Sequence, residues 1–136
     1  AWIERQLAES KATWKIAMFH YPPYNWEEPY LNIQEAWVPL FDKYQVDLVL
    51  GGHIHYYMRS KPMKGGKVVP EGTHGTTYMV SVGIPSREGE RTPEPYAADR
   101  NFKGHLYQYV KMEGNQLSMV TVNAENKVVD SFEITK

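Results

Sequence analysis

The chain contains no cysteine, and this absence excludes disulfides, thiolate metal sites and a cysteine nucleophile. It also has almost no excess of charge, because 15 Lys and Arg residues stand against 16 Asp and Glu residues and leave a net charge of -1. That balance excludes a protein that functions by bulk electrostatic attraction to nucleic acid or to an anionic membrane. No apolar run approaches the ~20 residues that span a bilayer, so the sequence predicts no membrane span.

The length and the aromatic content are informative in a different way. A chain of 136 residues suits one domain with a usable core. It begins with Ala1, and residues 1–10 have the pattern of a helix interior, so we expect a piece of something longer. Phenylalanine is scarce, with 4 residues against 10 Tyr and 4 Trp. Tyr and Trp are typical of half-buried sites and cleft walls, but they also suit a β-rich core.

The first part of the chain alternates helices and short apolar strands. Spacing of apolar residues predicts helices over 1–12 and 31–44, and apolar runs predict buried strands over 15–20 and 46–50. The segment 21–30, which contains two consecutive prolines, is expected to be an aromatic, acidic loop. This order is typical of an α/β sheet in which a helix connects two parallel strands.

The second part favours antiparallel strands. We expect strands over 56–60 and 78–82, a long hairpin or loop over 61–76, and a long surface loop over 83–104. Three further strands, separated by turn residues, form an antiparallel meander in this interpretation; they cover about 105–112, 116–123 and 127–134.

Histidines follow both predicted parallel strands. The run Gly51-Gly52-His53-Ile54-His55 comes directly after strand 46–50, and His20 ends strand 15–20. Parallel strands end at one edge of a sheet, where ligands bind in open α/β sheets. Three histidines converging there indicate a metal site. The alternative is three unrelated histidines that bond to the backbone.

These motifs, taken in order, resemble the C-terminal half of a calcineurin-like metallophosphoesterase, in its purple acid phosphatase-like branch. The matching pieces are Phe19-His20-Tyr21-Pro22-Pro23-Tyr24, residues 43–55, Tyr57-Met58-Arg59-Ser60, residues 75–80, and Gly104-His105 with the strands after it. The similarity covers most of the chain and leaves the loop 83–103 unassigned.

The resemblance implies a fold, a reaction and a set of ligands. The fold would be α/β, the C-terminal half of a four-layer α/β/β/α sandwich, with a βαβ-like part followed by an antiparallel meander. Residues 1–136 would form part of a single domain whose N-terminal half is absent. The parent protein would hydrolyse phosphate mono- or diesters with two metal ions, Fe, Mn or Zn, in divalent or mixed-valence states. His20 and His53 would bind one metal ion, and His55 the other.

Several ligands of that family are missing from this sequence. It has no Asp-x-His, Gly-Asp or Asn-His motif, so the carboxylate that would bridge two metal ions is lacking. We therefore expect the isolated chain to be inactive or nearly so, with partial or no metal occupancy.

Other residues receive weaker roles. We expect Glu27 or Glu28 as candidates for proton transfer, Arg59 and Tyr24 as candidates for substrate binding, His105 as a residue behind the metal ligands, and His74 as exposed.

A second hypothesis is a non-catalytic, β-rich binding module with structural histidines, whose aromatic loop 21–30 stacks a flat ligand. Under the first hypothesis the partners are a phosphate ester, the missing N-terminal half, and a second copy that pairs with exposed sheet edges. The resemblance favours an extracytoplasmic or secreted protein.

Overall fold

The computed structural model describes residues 2–81, 94–101 and 104–136, without the side chains of residues 99–101. Its helices and strands, in chain order, are α1 (Trp2–Glu9), β1 (Ile16–Phe19), α2 (Leu31–Tyr44), β2 (Leu48–Gly51), β3 (Tyr57–Ser60), β4 (Met63–Lys64), β5 (Lys67–Val68), β6 (Thr77–Val80), β7 (Ala97–Asn101), β8 (Leu106–Glu113), β9 (Gln116–Asn123) and β10 (Val128–Thr135). Neither helix within these residues is long and apolar enough to cross a membrane.

A mixed five-stranded sheet positions the candidate site. Its order is β1-β2-β6-β3-β7, with β1, β2 and β6 parallel and with β3 antiparallel to both of its neighbours. Helix α2 connects β1 to β2, so the predicted parallel pair with a helical crossover is confirmed. Both strands therefore end at the same edge of the sheet, as the sequence predicted.

Helix α2 has the predicted bounds because its apolar residues share one face. Val38 and Phe41 are buried, three residues apart, and the Phe41 ring stacks on Phe19 of β1 with ring centroids 6.0 Å apart. The helix ends at Gln45, whose left-handed backbone (φ 54°) lets its N–H donate to the carbonyl of Phe41. Pro39 lies within one continuous helix.

The remaining strands form the predicted meander, a three-stranded sheet in the order β10-β9-β8. It packs on the larger sheet through Tyr57 and Met79 on one side and Leu106 and Met119 on the other. The architecture is thus α/β, with a βαβ part followed by an antiparallel meander. The expected hairpin in 61–76 is also present, formed by β4 and β5.

Two expectations from the sequence were wrong. Strand β1 is not buried but lies at the sheet edge, with Met18 79% and Ile16 39% exposed. Part of the predicted loop 83–104 is the strand β7, which pairs with β3. The sequence of β7 does not alternate between apolar and polar residues, so it was not predicted as a strand. The rest of that prediction falls on residues 83–93 and 102–103, which lie outside the described residues, and on a few neighbouring residues.

Candidate metal centre

The site lies where β1 and β2 end side by side. Phe19 is in register with Gly51, so the next residues, His20 and Gly52, are neighbours across the sheet edge. The backbone N–H of Gly52 donates to the carbonyl of His20 over 3.0 Å. This bond extends the pairing of the strands by one step and fixes the two histidine-bearing loops relative to each other.

The glycine at position 51 allows a close approach of those loops. A Cβ atom on Gly51 would lie 2.7 Å from the Cβ of Pro22 and 3.2 Å from its Cα. Real Cβ atoms are not found so near another carbon, so a side chain here would force the loops apart. A Cβ on Gly52 would meet nothing nearer than Nδ1 of His20, at 3.6 Å.

His53 adopts a backbone conformation that few non-glycine residues adopt. Its φ is 62°, in the left-handed region. Such conformations cost free energy and persist where the surrounding structure imposes them, often at functional sites. Here the left-handed turn brings Nδ1 of His53 to 3.0 Å from Nε2 of His20.

That separation fits two ligands of one metal ion. Imidazole nitrogens bind Zn²⁺ at about 2.0–2.1 Å, and two such ligands at tetrahedral or octahedral angles lie about 2.9 to 3.4 Å apart. The same separation also fits a hydrogen bond between one protonated and one unprotonated nitrogen. The donor set is thus suitable for a borderline metal ion.

His55 is exposed and follows two residues later in the loop before β3. Across the described ranges, no three or more His, Asp or Glu side chains form a group that would hold a metal ion. The structure therefore brings together two of the three predicted ligands, and the role of His55 stays a prediction.

An aromatic cluster, formed by Tyr21, Tyr30 and the His53 ring, borders the histidine pair. The Tyr21 ring centroid lies 4.6 Å from that of His53 and 5.2 Å from that of Tyr30. Tyr21 is 46% exposed. Partial desolvation is the main cause that raises the pKa of Tyr30, and the nearby Glu28 carboxylate raises it further. The Tyr30 hydroxyl therefore stays protonated and able to donate.

Comparison with known proteins identifies a family for part of the chain. Residues 1–57 match the profile of the family described as calcineurin-like phosphoesterase. Residues 1–57 belong to the calcineurin-like phosphoesterase superfamily.

Relatives in this superfamily include an acid phosphatase of Aspergillus ficuum, 40% identical over 67 residues, which covers 46% of this chain and 11% of that protein. A purple acid phosphatase of Glycine max is 34% identical over 67 residues, covering 44% of this chain and 14% of that one. The matched segments thus cover less than a fifth of the length of these relatives.

The fold of the whole chain is similar to that of a purple acid phosphatase. The structure of a purple acid phosphatase from yellow lupin (Lupinus luteus) seeds superposes with a TM-score of 0.82 at 20% identity. The match covers 98% of this chain and 27% of the lupin chain. The similarity includes the meander, which lies outside residues 1–57.

The acidic loop 21–30 is organised by a buried amide, that of Asn25. Oδ1 of Asn25 accepts hydrogen bonds from the backbone N–H groups of Glu27 and Glu28, each over 2.8 Å. Nδ2 of Asn25 donates to the carbonyls of Pro22 and Glu28. The side chains of Glu27 and Glu28 are exposed, and their role in proton transfer stays a prediction.

Tyr24 does not line the site. It is buried in the core, edge-to-face against Tyr78 with ring centroids 4.7 Å apart, and 5.5 Å from the ring of Tyr96. Burial, and then the charge of Asp42, raises the pKa of the Tyr24 hydroxyl. These contacts give Tyr24 a structural role, and we no longer assign it to substrate.

Arg59 joins the two sheets. Its Nε and one terminal nitrogen donate to the two oxygens of Asp130 over 2.6 and 2.8 Å, and the guanidinium lies 4.9 Å from the Phe132 ring centre. The Tyr57 hydroxyl donates to the same carboxylate over 2.5 Å. The guanidinium is engaged in this bidentate ion pair, and we no longer assign it to phosphate.

His74 lies at the amino ends of the parallel strands, opposite the edge that carries His20 and His53. It is half-buried, so the expectation that it is exposed was wrong. Its Nε2 lies 3.3 Å from Oδ1 of the fully buried Asp47, whose Oδ2 accepts from the Lys15 N–H and from Nζ of Lys136. A cavity of about 310 Å³ beside His74 is also lined by Lys136. Sequence reasoning missed the pair of His74 and Asp47 because 27 residues separate its members.

His105 is exposed next to β8, and its predicted role stays untested.

Proposed function

We propose that this chain is the ligand-bearing C-terminal part of a metal-dependent phosphoesterase, which hydrolyses phosphate mono- or diesters with metal-activated water. The observation that carries the proposal is the 3.0 Å approach of His20 and His53 at the carboxyl edge of a parallel sheet. Two imidazole nitrogens 3.0 Å apart have a separation suited to two ligands of one metal ion, and the phosphatase relatives indicate the reaction.

In this proposal, His20 and His53 hold one ion of Fe, Mn or Zn, and His55 binds a second ion. When bound, the two ions would activate water and polarise the phosphoryl oxygens. The chain's own contribution is to hold the ligands: the Gly52–His20 hydrogen bond and the Gly51–Pro22 contact fix the two loops.

The chain supplies only part of the proposed domain. It corresponds to 27% of the lupin structure, and no Asp-x-His, Gly-Asp or Asn-His motif is found in its sequence. We propose that the acidic ligands belong to an N-terminal half outside this chain, and that the isolated chain has little or no turnover. Glu27 or Glu28 would then transfer a proton to the leaving group.

The same proposal covers partners and compartment. The substrate is a phosphate ester, and the exposed edge strand β1 would pair with the N-terminal half or, in the isolated chain, with a second copy. Similarity to plant and fungal acid phosphatases supports an extracytoplasmic or secreted location.

The test is turnover of a chromogenic phosphate ester by the full-length gene product, with Fe, Mn or Zn supplied in turn. We expect metal-dependent hydrolysis that His53→Ala reduces at least about 100-fold and that His74→Gln, at the opposite sheet edge, leaves near the unsubstituted level. Lack of metal-dependent turnover in the full-length protein would contradict the proposal. So would full turnover in His53→Ala.

A second candidate is a non-catalytic binding module. It is favoured by the finding that the described residues hold no group of three potential metal ligands and by the exposed ring of Tyr21. Binding of a flat ligand by a full-length protein without metal-dependent turnover would support this candidate.

A further inference from the structure

The surface next to the histidine pair is aromatic, and the phosphoesterase proposal makes no use of it. Tyr21 follows His20 directly in the chain, and its ring lies 4.9 Å, centroid to centroid, from that of His20. Close to half of Tyr21 remains exposed although two other rings, those of His53 and Tyr30, already pack against it. An exposed ring at this place is a flat apolar surface beside the point where phosphate would bind.

The neighbours of Tyr21 hold its ring in place. Tyr30 lies 5.2 Å away on the side of helix α2, and it also contacts His53 at 6.1 Å. These separations are typical of aromatic pairs, which prefer tilted and edge-to-face arrangements. A ring held on several sides loses little freedom when a ligand stacks on it, which favours binding.

The charges near the cluster restrict the ligand further. Glu27 and Glu28 are exposed on the same loop, and the Glu28 carboxylate interacts with Tyr30. Negative charge at this border disfavours a leaving group that carries further phosphates or carboxylates. It leaves neutral, planar groups as the better fit to the exposed Tyr21 ring.

We propose that the aromatic cluster of Tyr21, Tyr30 and His53 selects phosphate esters whose leaving group is a neutral aromatic alcohol, which stacks on Tyr21 while the phosphoryl group lies at His20 and His53. This proposal rests on the proposed function, because it places the phosphoryl group at the metal ligands. Tyr21 acts as a specificity residue, and its contribution is to binding.

The experiment compares two non-hydrolysable probes, phenylphosphonate and methylphosphonate, by calorimetric titration of the full-length gene product with Zn²⁺ present. The expected result is about 3- to 10-fold tighter binding of phenylphosphonate, the range for one aromatic pair. Tyr21→Leu should abolish that preference, whereas Tyr21→Phe, which keeps the ring, should retain it. Tyr109→Leu is the matched control, because Tyr109 is 62% exposed on β8.

The outcomes separate this proposal from the function on which it rests. If both phosphonates bind equally, or if Tyr21→Leu keeps the preference, the aromatic proposal is overturned and the phosphoesterase proposal stands. If neither phosphonate binds, the phosphoryl site itself fails and both proposals are overturned. Loss of the preference in Tyr109→Leu as well would also overturn the role of Tyr21.

Discussion

Nε2 of His20 and Nδ1 of His53 lie 3.0 Å apart although 33 residues separate them in the sequence. The approach follows from the parallel pairing of β1 and β2, which ends at the same edge, and from the left-handed backbone of His53. The two nitrogens face each other at a separation suited to one metal ion. The proposed function depends on this pair.

The first prediction concerns the glycines that precede His53. We expect Gly51→Ala to lower the free energy of unfolding by about 1–3 kcal/mol, because the added Cβ overlaps Pro22 and displaces the loop. Gly52→Ala is the matched control, since its Cβ meets only ordinary contacts. Urea unfolding of both variants measures the difference. Equal stability of the two would show that the Gly51–Pro22 contact is unimportant.

Much of the fold near His20 and His53 was predictable from the spacing of apolar residues over short stretches of sequence. Helix α2 carries its apolar residues three and four positions apart, and the apolar runs around it are short enough for strands. Together they predicted parallel strands joined by a helix, with His20 and His53 at one edge. The exposure of Met18 was not predictable, because an apolar strand has the same pattern whether or not a second layer covers it.

Contacts between distant residues account for the other differences. Arg59 and Asp130 are 71 residues apart, and a single sequence gives no sign that they pair. The strand β7 has the sequence Ala-Ala-Asp-Arg-Asn, which lacks apolar alternation, and only its pairing with β3 makes it a strand. Roles assigned to side chains by position alone, such as that of Tyr24, failed for the same reason.

The second prediction tests the ion pair between the sheets. Arg59→Leu leaves the buried Asp130 carboxylate without its cation, and we expect a loss of about 3–5 kcal/mol in the free energy of unfolding. The double variant Arg59→Leu/Asp130→Leu should be less destabilised than Arg59→Leu alone, because no buried charge is left unpaired. Denaturant unfolding of the three proteins gives the values. A double variant less stable than the single one would refute this explanation.

The third prediction is a pH dependence of stability. Burial by itself would raise the pKa of Asp130, but the hydrogen bonds from Arg59 and Tyr57 outweigh it and lower that pKa below its usual 3.8. A lowered folded-state pKa means that the stabilisation is complete above the unfolded-state pKa. It is lost as the pH falls through the lower, folded-state value.

Asp130→Asn removes this titration. We expect its stability deficit relative to the unsubstituted chain to be constant near neutral pH and to shrink below about pH 4. Urea unfolding across about pH 2 to 7 follows the deficit. A stability deficit that grows as the pH falls would have the wrong sign. It would rule out a stabilisation by ionised Asp130.

The fourth prediction concerns the exposed edge. Strand β1 pairs only with β2 among the described residues, and Met18 is 79% exposed on it. We expect the isolated chain to self-associate, and Met18→Lys to shift it towards monomer, because charge on an edge strand disfavours pairing with another chain. Sedimentation velocity reports the distribution. Leu31→Lys is the control, because Leu31 is 58% exposed on helix α2 and lies on no strand edge.

An unsubstituted chain that sediments as a single monomeric species would contradict this prediction. An equal effect of the two lysine substitutions would also contradict it, because general solubility rather than the β1 edge would then be responsible.

The most direct test of the central claim is a calorimetric titration of Zn²⁺ into the full-length gene product and into its variants His20→Ala, His53→Ala and His74→Gln. We expect His20→Ala and His53→Ala each to weaken binding at least about 10-fold, because losing even a residue that supports a metal ligand costs about 10- to 100-fold. His74→Gln, at the opposite edge, should bind as the unsubstituted chain does. Equal Zn²⁺ affinity in all four proteins would show that His20 and His53 are joined by a hydrogen bond alone and would contradict the account.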